Sequence, residues 1–288
     1  MGNKLSVFAG LIKYRLSIAV VFSSVAGYYL SGNNTGLSLF YLSAGVFFLA
    51  SGSAVLNQYT ERIADSVMER TRNRPIPSKR ISEKHALKIA VILLLTGCFF
   101  LYMNGPAPLL LGILNVVLYN LIYTSLKKKT ILSIVPGALV GAIPPWIGFF
   151  SGEGTFPNQN IIAFSIFMFL WQLPHFWLII IKYDKEYRIA GFATLTKYLH
   201  EIQIRYLVFF WVLLSTFFLF FFFFLAETFD KNIFASATII NLAFIFFFYR
   251  LLFIKKKEQE IKGAFLLINS FSFLIMFLII AVAILRGF

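Results

Sequence analysis

Charged residues and cysteine are scarce in this sequence, and their scarcity limits the kind of protein it can encode. Only 13% of the 288 residues are charged, about half the share of an ordinary soluble domain, whereas 59% are hydrophobic. The single cysteine, Cys98, excludes an internal disulfide framework and a cysteine-based zinc cluster. The composition is typical of an integral membrane protein, and we expect residues 1–288 to form one domain.

The hydrophobic residues are grouped into windows long enough to cross a membrane as helices. A bilayer core of about 30 Å requires roughly 17 to 25 residues, because each backbone polar group must be paired within its own segment. The windows lie near residues 16–31, 36–56, 88–104, 106–123, 131–151, 160–181, 206–226, 232–253 and 264–285. We therefore predict an all-α, polytopic membrane protein with about nine transmembrane helices.

Basic residues outnumber acidic ones by 26 to 12, and their placement follows membrane topology. They are spread over several loops instead of forming one continuous patch, so we expect no nucleic-acid partner. With nine spans, all of them except Lys231 and Arg286 lie on one side of the membrane. Because cytoplasmic loops are enriched in Lys and Arg, we expect the N-terminus and the polar loops in the cytoplasm and the C-terminus outside.

The longest basic loop, residues 57–77, begins with a row of oxygen-bearing side chains. Asn57, Glu61 and Asp65 are spaced four apart, so on a continuing helix they share one face. Mg²⁺ prefers oxygen ligands and is commonly held by one or two carboxylates together with a substrate's phosphates. The segment also carries four arginines, whose guanidinium groups suit diphosphate oxygens: Arg62, Arg70, Arg72 and Arg74. The pattern favours a site for metal and phosphate. The alternative is that the arginines only keep this loop on the cytoplasmic side of the membrane.

A second polar cluster follows the sixth window, after the sequence WQLPHFW at residues 171–177. His175 lies inside an apolar span, where an ionisable residue normally faces the protein interior or a cavity and marks function. A neutral histidine hydrogen-bonded to a neighbouring helix is the alternative. Asp184 and Glu186 lie two residues apart, so one helix cannot easily direct both at one point, and we expect only one of them to bind a second metal.

The loop after the fourth window supplies a third polar group. Tyr123 and Lys127 are again four residues apart. An ammonium group at this position would cap an anionic head group at the mouth of a helix bundle, or it would simply retain the loop in the cytoplasm.

At these residues the sequence resembles the UbiA superfamily of intramembrane prenyltransferases and, within it, the protoheme IX farnesyltransferase family. The general resemblance is carried by the row Asn57, Glu61 and Asp65, by Tyr123 with Lys127, and by the acidic residues after the sixth window. The narrower resemblance is carried by MERTRNRPIP at residues 68–77, by WQLPHF at residues 171–176, and by Tyr183, Glu186, Tyr187, Ala190, Gly191 and Phe192. It extends over nearly the whole chain.

The resemblance implies nine helices around a central cavity that opens to the cytoplasmic face, with Mg²⁺ as the cofactor. By this resemblance the catalytic and metal-binding residues are Asn57, Glu61 and Asp65 for one Mg²⁺, and Glu186, with Asp184, for a second. The implied diphosphate-binding residues are Arg62, Arg72, Arg74, Tyr123 and Lys127. The implied heme-binding residues are His175 and Trp171.

The implied activity is transfer of a farnesyl group from farnesyl diphosphate to a vinyl group of heme B (protoheme IX), giving heme O. The expected location is a bacterial-type inner or plasma membrane, with membrane lipid around the protein; nothing in the sequence indicates an oligomeric state. One alternative keeps the superfamily and changes the acceptor to an aromatic quinone precursor. Another is a membrane transporter or lipid-binding protein whose acidic row binds a cation.

Overall fold

The computed structural model describes residues 4–32, 36–154, 159–225, 230–254 and 258–286, and every regular element in these ranges is helical. In chain order the helices are α1 (Lys4–Leu11), α2 (Tyr14–Tyr29), α3 (Gly36–Thr60), α4 (Arg62–Val67), α5 (Glu83–Tyr102), α6 (Pro106–Leu126), α7 (Ile131–Ser151), α8 (Gln159–Ile189), α9 (Glu201–Leu225), α10 (Lys231–Ile254) and α11 (Glu258–Arg286). Eight of these are long and apolar enough to cross a membrane, and α1 with α2, bent by 47° at their junction, makes a ninth when counted as one span. The predicted all-α fold is confirmed. Residues 255–257, part of a predicted basic loop, lie outside the described ranges.

A connection of only three residues joins α5 to α6. Gly105 adopts φ 107°, a conformation that glycine tolerates because it has no Cβ, and Pro106 occupies the first turn of α6. The side chain of Asn104 donates a hydrogen bond of 2.9 Å to the carbonyl oxygen of Ser38 on α3. Together these features allow two spans to follow each other with almost no loop.

The acidic row lies where α3 gives way to α4. Glu61 interrupts the helix with φ −96° and ψ 5°, yet the spacing of the row survives the interruption. The amide of Glu61 donates to the carbonyl of Asn57 at 2.9 Å, and the amide of Asp65 donates to the carbonyl of Glu61 at 2.8 Å. Because these are the bonds of a continuous α-helix, the three side chains stay on one side of the chain.

Six helices, α2, α3, α6, α7, α8 and α11, surround a cavity of about 520 Å³. The ring closes because α11 packs against both α2 and α8. On α3 the lining extends from Asn57 to Val46, a helical rise of roughly 16 Å. The cavity is therefore deep, with charged residues at one end and apolar residues at the other.

Glycines set the distance between α2 and α7, two walls of this cavity. A Cβ atom at Gly27 would overlap the carbonyl oxygen of Pro145, and one at Gly148 would overlap the carbonyl oxygen of Ser24. The two backbones are thus in direct contact, as is common where small residues let membrane helices approach closely. This contact positions α2 relative to the rest of the ring.

We expect Gly148→Val to separate α2 from α7 and to destabilise the protein by about 1–3 kcal/mol or more, the cost typical of overpacking. The measurement is the temperature at which the detergent-solubilised protein loses its monodisperse size-exclusion peak. Gly36→Val is the matched control, because a Cβ at Gly36 meets no atom within 4 Å. Equal midpoints for the two variants would contradict this account of the helix contact.

Candidate functional site

The charged end of the cavity is built on the predicted acidic row. Asn57, Glu61 and Asp65 all line the cavity, and each is almost fully buried. Buried carboxylates are costly unless they are paired and hydrogen-bonded. The partners of the row therefore determine how the surrounding segments are arranged.

Each carboxylate of the row pairs with a cation from a separate segment. Lys127, directly after α6, forms an ion pair with Glu61. One guanidinium nitrogen of Arg74, in the loop between α4 and α5, donates to both carboxylate oxygens of Asp65 at 2.8 Å each. Burial lowers the pKa of Lys127, whereas the adjacent Glu61 raises it. Two distant parts of the chain are thus held over one end of the cavity by buried charge pairs.

Asn57 is shared between the N-terminal segment and α6. Its Oδ1 accepts a hydrogen bond of 3.3 Å from Nζ of Lys13, and its Nδ2 donates to Oγ1 of Thr124 at 3.3 Å. Lys13 lines the cavity but was not predicted as a site residue, because in the sequence it looks like one more positive-inside anchor.

Aromatic rings orient the ammonium group of Lys127. Its Nζ lies 5.2 Å from the ring centroid of Tyr123 and 5.1 Å from that of Phe192, within cation–π range. The Tyr123 ring in turn stacks on Tyr119, with centroids 5.7 Å apart, and lies 5.6 Å from Phe176. Tyr123 and Lys127 are thus adjacent at the cavity, as their spacing predicted.

The structure separates the arginines of the basic loop. Arg74 and Arg70 line the cavity, and the Arg70 guanidinium lies 4.9 Å from the ring centroid of Tyr183. Arg62 instead pairs with Glu83 at the start of α5, at 2.9 Å. Arg72 is exposed and lies 3.9 Å from Glu69. Neither Arg62 nor Arg72 is among the residues that line the cavity.

The second acidic pair lies beside the charged end rather than on the cavity wall. Asp184 accepts a hydrogen bond from the hydroxyl of Thr196 and pairs with Nε of Arg188 at 3.0 Å. Glu186 accepts a hydrogen bond of 3.0 Å from the backbone amide of Arg70. The two carboxylates point at different partners, as expected from their spacing, and Glu186 contacts the loop that carries the cavity arginines.

His175 and Trp171 line the cavity from α8. The His175 ring lies 5.2 Å from Trp171 and 4.9 Å from Phe265 between centroids. Nε1 of Trp171 donates to the carbonyl oxygen of Ile268 at 3.0 Å, which fixes the indole. Nδ1 of His175 is buried and has no hydrogen-bond partner among the described residues. This part of the cavity wall is largely aromatic, and it carries the unpaired Nδ1 of His175.

The donors of the acidic row fit a hard cation. Among the described residues no three His, Cys, Asp or Glu side chains form a metal cluster of their own. Two carboxylates and an amide oxygen, from Glu61, Asp65 and Asn57, nevertheless line the cavity together. An all-oxygen set completed by a ligand's phosphates is how Mg²⁺ is usually bound.

We expect Lys127→Met to leave the Glu61 carboxylate buried without its ion-pair partner and to destabilise the protein by about 3–5 kcal/mol. Adding Glu61→Gln should restore much of that loss, because the uncompensated charge is then removed. The thermal midpoint of the solubilised protein checks both statements. Arg72→Met, at an exposed position, should leave the midpoint almost unchanged; a double variant no more stable than the single one would contradict the pairing.

The chain was compared with known proteins. The model of the UbiA prenyltransferase family matches residues 20–271. The protoheme IX farnesyltransferase of Christiangramia forsetii is 40% identical over 192 residues, which span 66% of this chain and 64% of that relative. The protein of the same name from Cytophaga hutchinsonii is 32% identical over 284 residues, covering 95% of this chain and 96% of that one.

The fold also matches a solved structure. A UbiA homologue from Archaeoglobus fulgidus bound to GPP and Mg²⁺ superimposes with a TM-score of 0.72 at 13% identity, over 96% of this chain and 99% of that one. The two chains therefore share a fold. The family match covers most of the sequence, and the chain is an integral membrane protein that belongs to the UbiA prenyltransferase family.

Proposed function

We propose that this protein transfers a farnesyl group from farnesyl diphosphate to a vinyl group of heme B in an Mg²⁺-dependent reaction. Diphosphate leaves, water adds to the other vinyl carbon with loss of a proton, and the product is heme O. The observation that carries the proposal is the buried row of Asn57, Glu61 and Asp65, matched by cations at one end of a deep apolar cavity. Relatives named protoheme IX farnesyltransferase, one of them similar over almost the full length, support the choice of reaction.

The charged end is the proposed diphosphate site. Arg74, Lys127 and Tyr123 are its basic and hydroxyl groups, because all three face the cavity. Arg62 and Arg72, expected from the sequence, are left out of the site because their side chains lie against Glu83 and Glu69. In a cavity with low-dielectric walls the cations stabilise charge that develops on the leaving diphosphate as the allylic C–O bond breaks.

Asn57, Glu61 and Asp65 are the proposed Mg²⁺ ligands, and Glu186, with Asp184 near it, is the proposed second acidic group. Bound Mg²⁺ would neutralise diphosphate oxygens and lower the barrier to departure of the leaving group. The residues of this chain position the carboxylates that would hold the metal. The Lys127 and Arg74 pairs hold the Glu61 and Asp65 carboxylates at the cavity wall, and these two cations would exchange the carboxylates for diphosphate oxygens when the metal and the ligand enter.

The aromatic wall is the proposed acceptor site. A porphyrin is a flat, largely apolar ring, and Trp171, His175 and Phe265 present aromatic surface to the same cavity. The free Nδ1 of His175 is a suitable contact for the porphyrin or its iron. A quinone precursor would also stack here; heme is favoured over it by the relatives and by the presence of an imidazole.

We place the charged end at the cytoplasmic face of a bacterial-type inner or plasma membrane, because nearly all Lys and Arg fall on the same side. We also propose that residues 1–288 form one domain, since the helices that line the cavity come from both halves of the sequence.

The direct test is incubation of the purified protein with farnesyl diphosphate, Mg²⁺ and heme B, followed by pigment analysis. We expect farnesylated heme, and no product when a chelator removes divalent cations. Prenylation of a quinone precursor with heme unchanged would favour the alternative acceptor. Absence of diphosphate release with either acceptor would reject the enzyme and favour a cation-binding membrane protein.

A pair of arginine variants tests the diphosphate site. Arg74→Gln should lower kcat/KM for farnesyl diphosphate by about ten- to a hundredfold, because a charge-assisted hydrogen bond contributes about 1.5–3 kcal/mol. Arg72→Gln removes the same charge two residues away, from a side chain that faces solvent, and should change kcat/KM less than about twofold. Equal losses for the two variants would argue that only the net charge of the loop matters.

A further inference from the structure

The junction between α1 and α2 carries a lysine in an unusual conformation. Lys13 adopts φ 47° and ψ 50°, the left-handed region that residues with a Cβ rarely occupy. Its carbonyl oxygen accepts hydrogen bonds from the amides of Leu16 and Ser17 at 2.8 and 3.1 Å, so that it begins α2. Strained backbone of this kind persists only where the surrounding structure holds it.

The surrounding structure does hold it, through residues next to the charged end. Nε2 of Gln58, the neighbour of Asn57, donates to the carbonyl oxygens of Gly10 and Leu11 at 3.3 and 2.6 Å. A Cβ atom at Gly10 would lie 3.7 Å from Cγ of Pro75, which follows Arg74, so the loop with the arginine runs beside α1. The end of α1 is therefore fastened to the segment that carries the acidic row and lies next to the loop that carries its arginine.

This arrangement directs Lys13 into the cavity. Lys13, Leu16, Val20 and Ser23 all line it, at the spacing of one helical face. Nζ of Lys13 reaches Oδ1 of Asn57 at 3.3 Å. Arg15, two residues further along the chain, differs: it is exposed, and its Nε donates to the hydroxyl of Tyr14 at 3.0 Å.

The charges at this end do not balance. The charged residues lining the cavity are the cations Lys13, Arg70, Arg74 and Lys127 and the anions Glu61 and Asp65. Glu61 and Asp65 are taken by Lys127 and Arg74. In the ranges that the structure describes, Lys13 forms no ion pair, and its side chain donates a hydrogen bond to the neutral amide of Asn57. An uncompensated cation beside a low-dielectric cavity is stabilised by an anionic ligand.

We propose that Lys13 is a further diphosphate-binding residue, whose ammonium group contacts diphosphate oxygens on the Asn57 side of the site, and that the break between α1 and α2 sets its position. The inference rests on the proposed prenyl transfer. It adds the N-terminal segment to a site otherwise built from the loops that follow α3 and α6.

The test separates the charge of Lys13 from its backbone conformation. Lys13→Asn and Lys13→Gly remove the charge but tolerate the left-handed region, and Lys13→Arg keeps the charge. Each full-length variant is assayed for KM of farnesyl diphosphate, KM of heme and inhibition by inorganic diphosphate. Arg15→Asn, which removes a neighbouring charge outside the cavity, is the control.

Both neutral variants should weaken inhibition by inorganic diphosphate and raise the KM of farnesyl diphosphate by about ten- to a hundredfold, the range of one charge-assisted hydrogen bond. The KM of heme should stay constant, Lys13→Arg should retain most of the affinity, and Arg15→Asn should match the wild type. A purely structural lysine would instead lower the thermal midpoint and leave inhibition by diphosphate unchanged, which would overturn the proposal.

Two neutral variants are used so that a folding defect in one of them does not decide the result. Lys13→Gly relieves the backbone strain that Lys13→Asn retains in part. If both neutral variants unfold while Lys13→Arg is stable, the role of Lys13 is structural and the inference is rejected. If the wild type itself is not inhibited by inorganic diphosphate, the proposed function fails before Lys13 is considered. The two failures are therefore distinguishable.

Discussion

Compensation of buried charge organises the functional end of this protein. Glu61 and Asp65 are carboxylates with side chains only 5% and 1% exposed, and each would be strongly unfavourable without a partner. The partners come from elsewhere in the chain: Lys127 from the end of α6 and Arg74 from the loop before α5. Satisfying these two charges brings separate connections together over one end of the cavity.

The membrane makes this compensation stricter than it would be in water. Transmembrane helices satisfy their own backbone groups, so their side chains decide how they associate, and small residues allow the closest approach. Gly27 and Gly148 bring α2 into backbone contact with α7, and this places Lys13, just before α2, beside the acidic row. The packing of the apolar helices thus helps to decide where the charged side chains lie.

The two parts of the cavity differ in the kind of group that they can bind. Its charged end holds more cations than carboxylates and suits an anionic group, whereas α8 offers Trp171 and His175, and α11 offers Phe265, to a flat apolar ring. An anionic group and a flat ring would therefore contact different residues of the cavity wall. The acidic residues Asp184 and Glu186 border the charged end, and Glu186 is tied to the arginine loop through the amide of Arg70.

The sequence by itself determined the spans and the spacing of the acidic row. Both depend on local rules: a helix must satisfy its backbone within the segment, and residues four apart share a face, which holds here even though Glu61 interrupts α3. Only the tertiary structure decided which basic residues face the cavity. Arg62 and Arg74 are equivalent in a sequence, but the start of α5 places Glu83 beside Arg62, while the loop turns Arg74 back onto Asp65. Lys13 resembles a topological anchor in the sequence for the same reason: the direction of a long, flexible cation is set by groups such as Asn57, which are distant in the chain and near it only after folding.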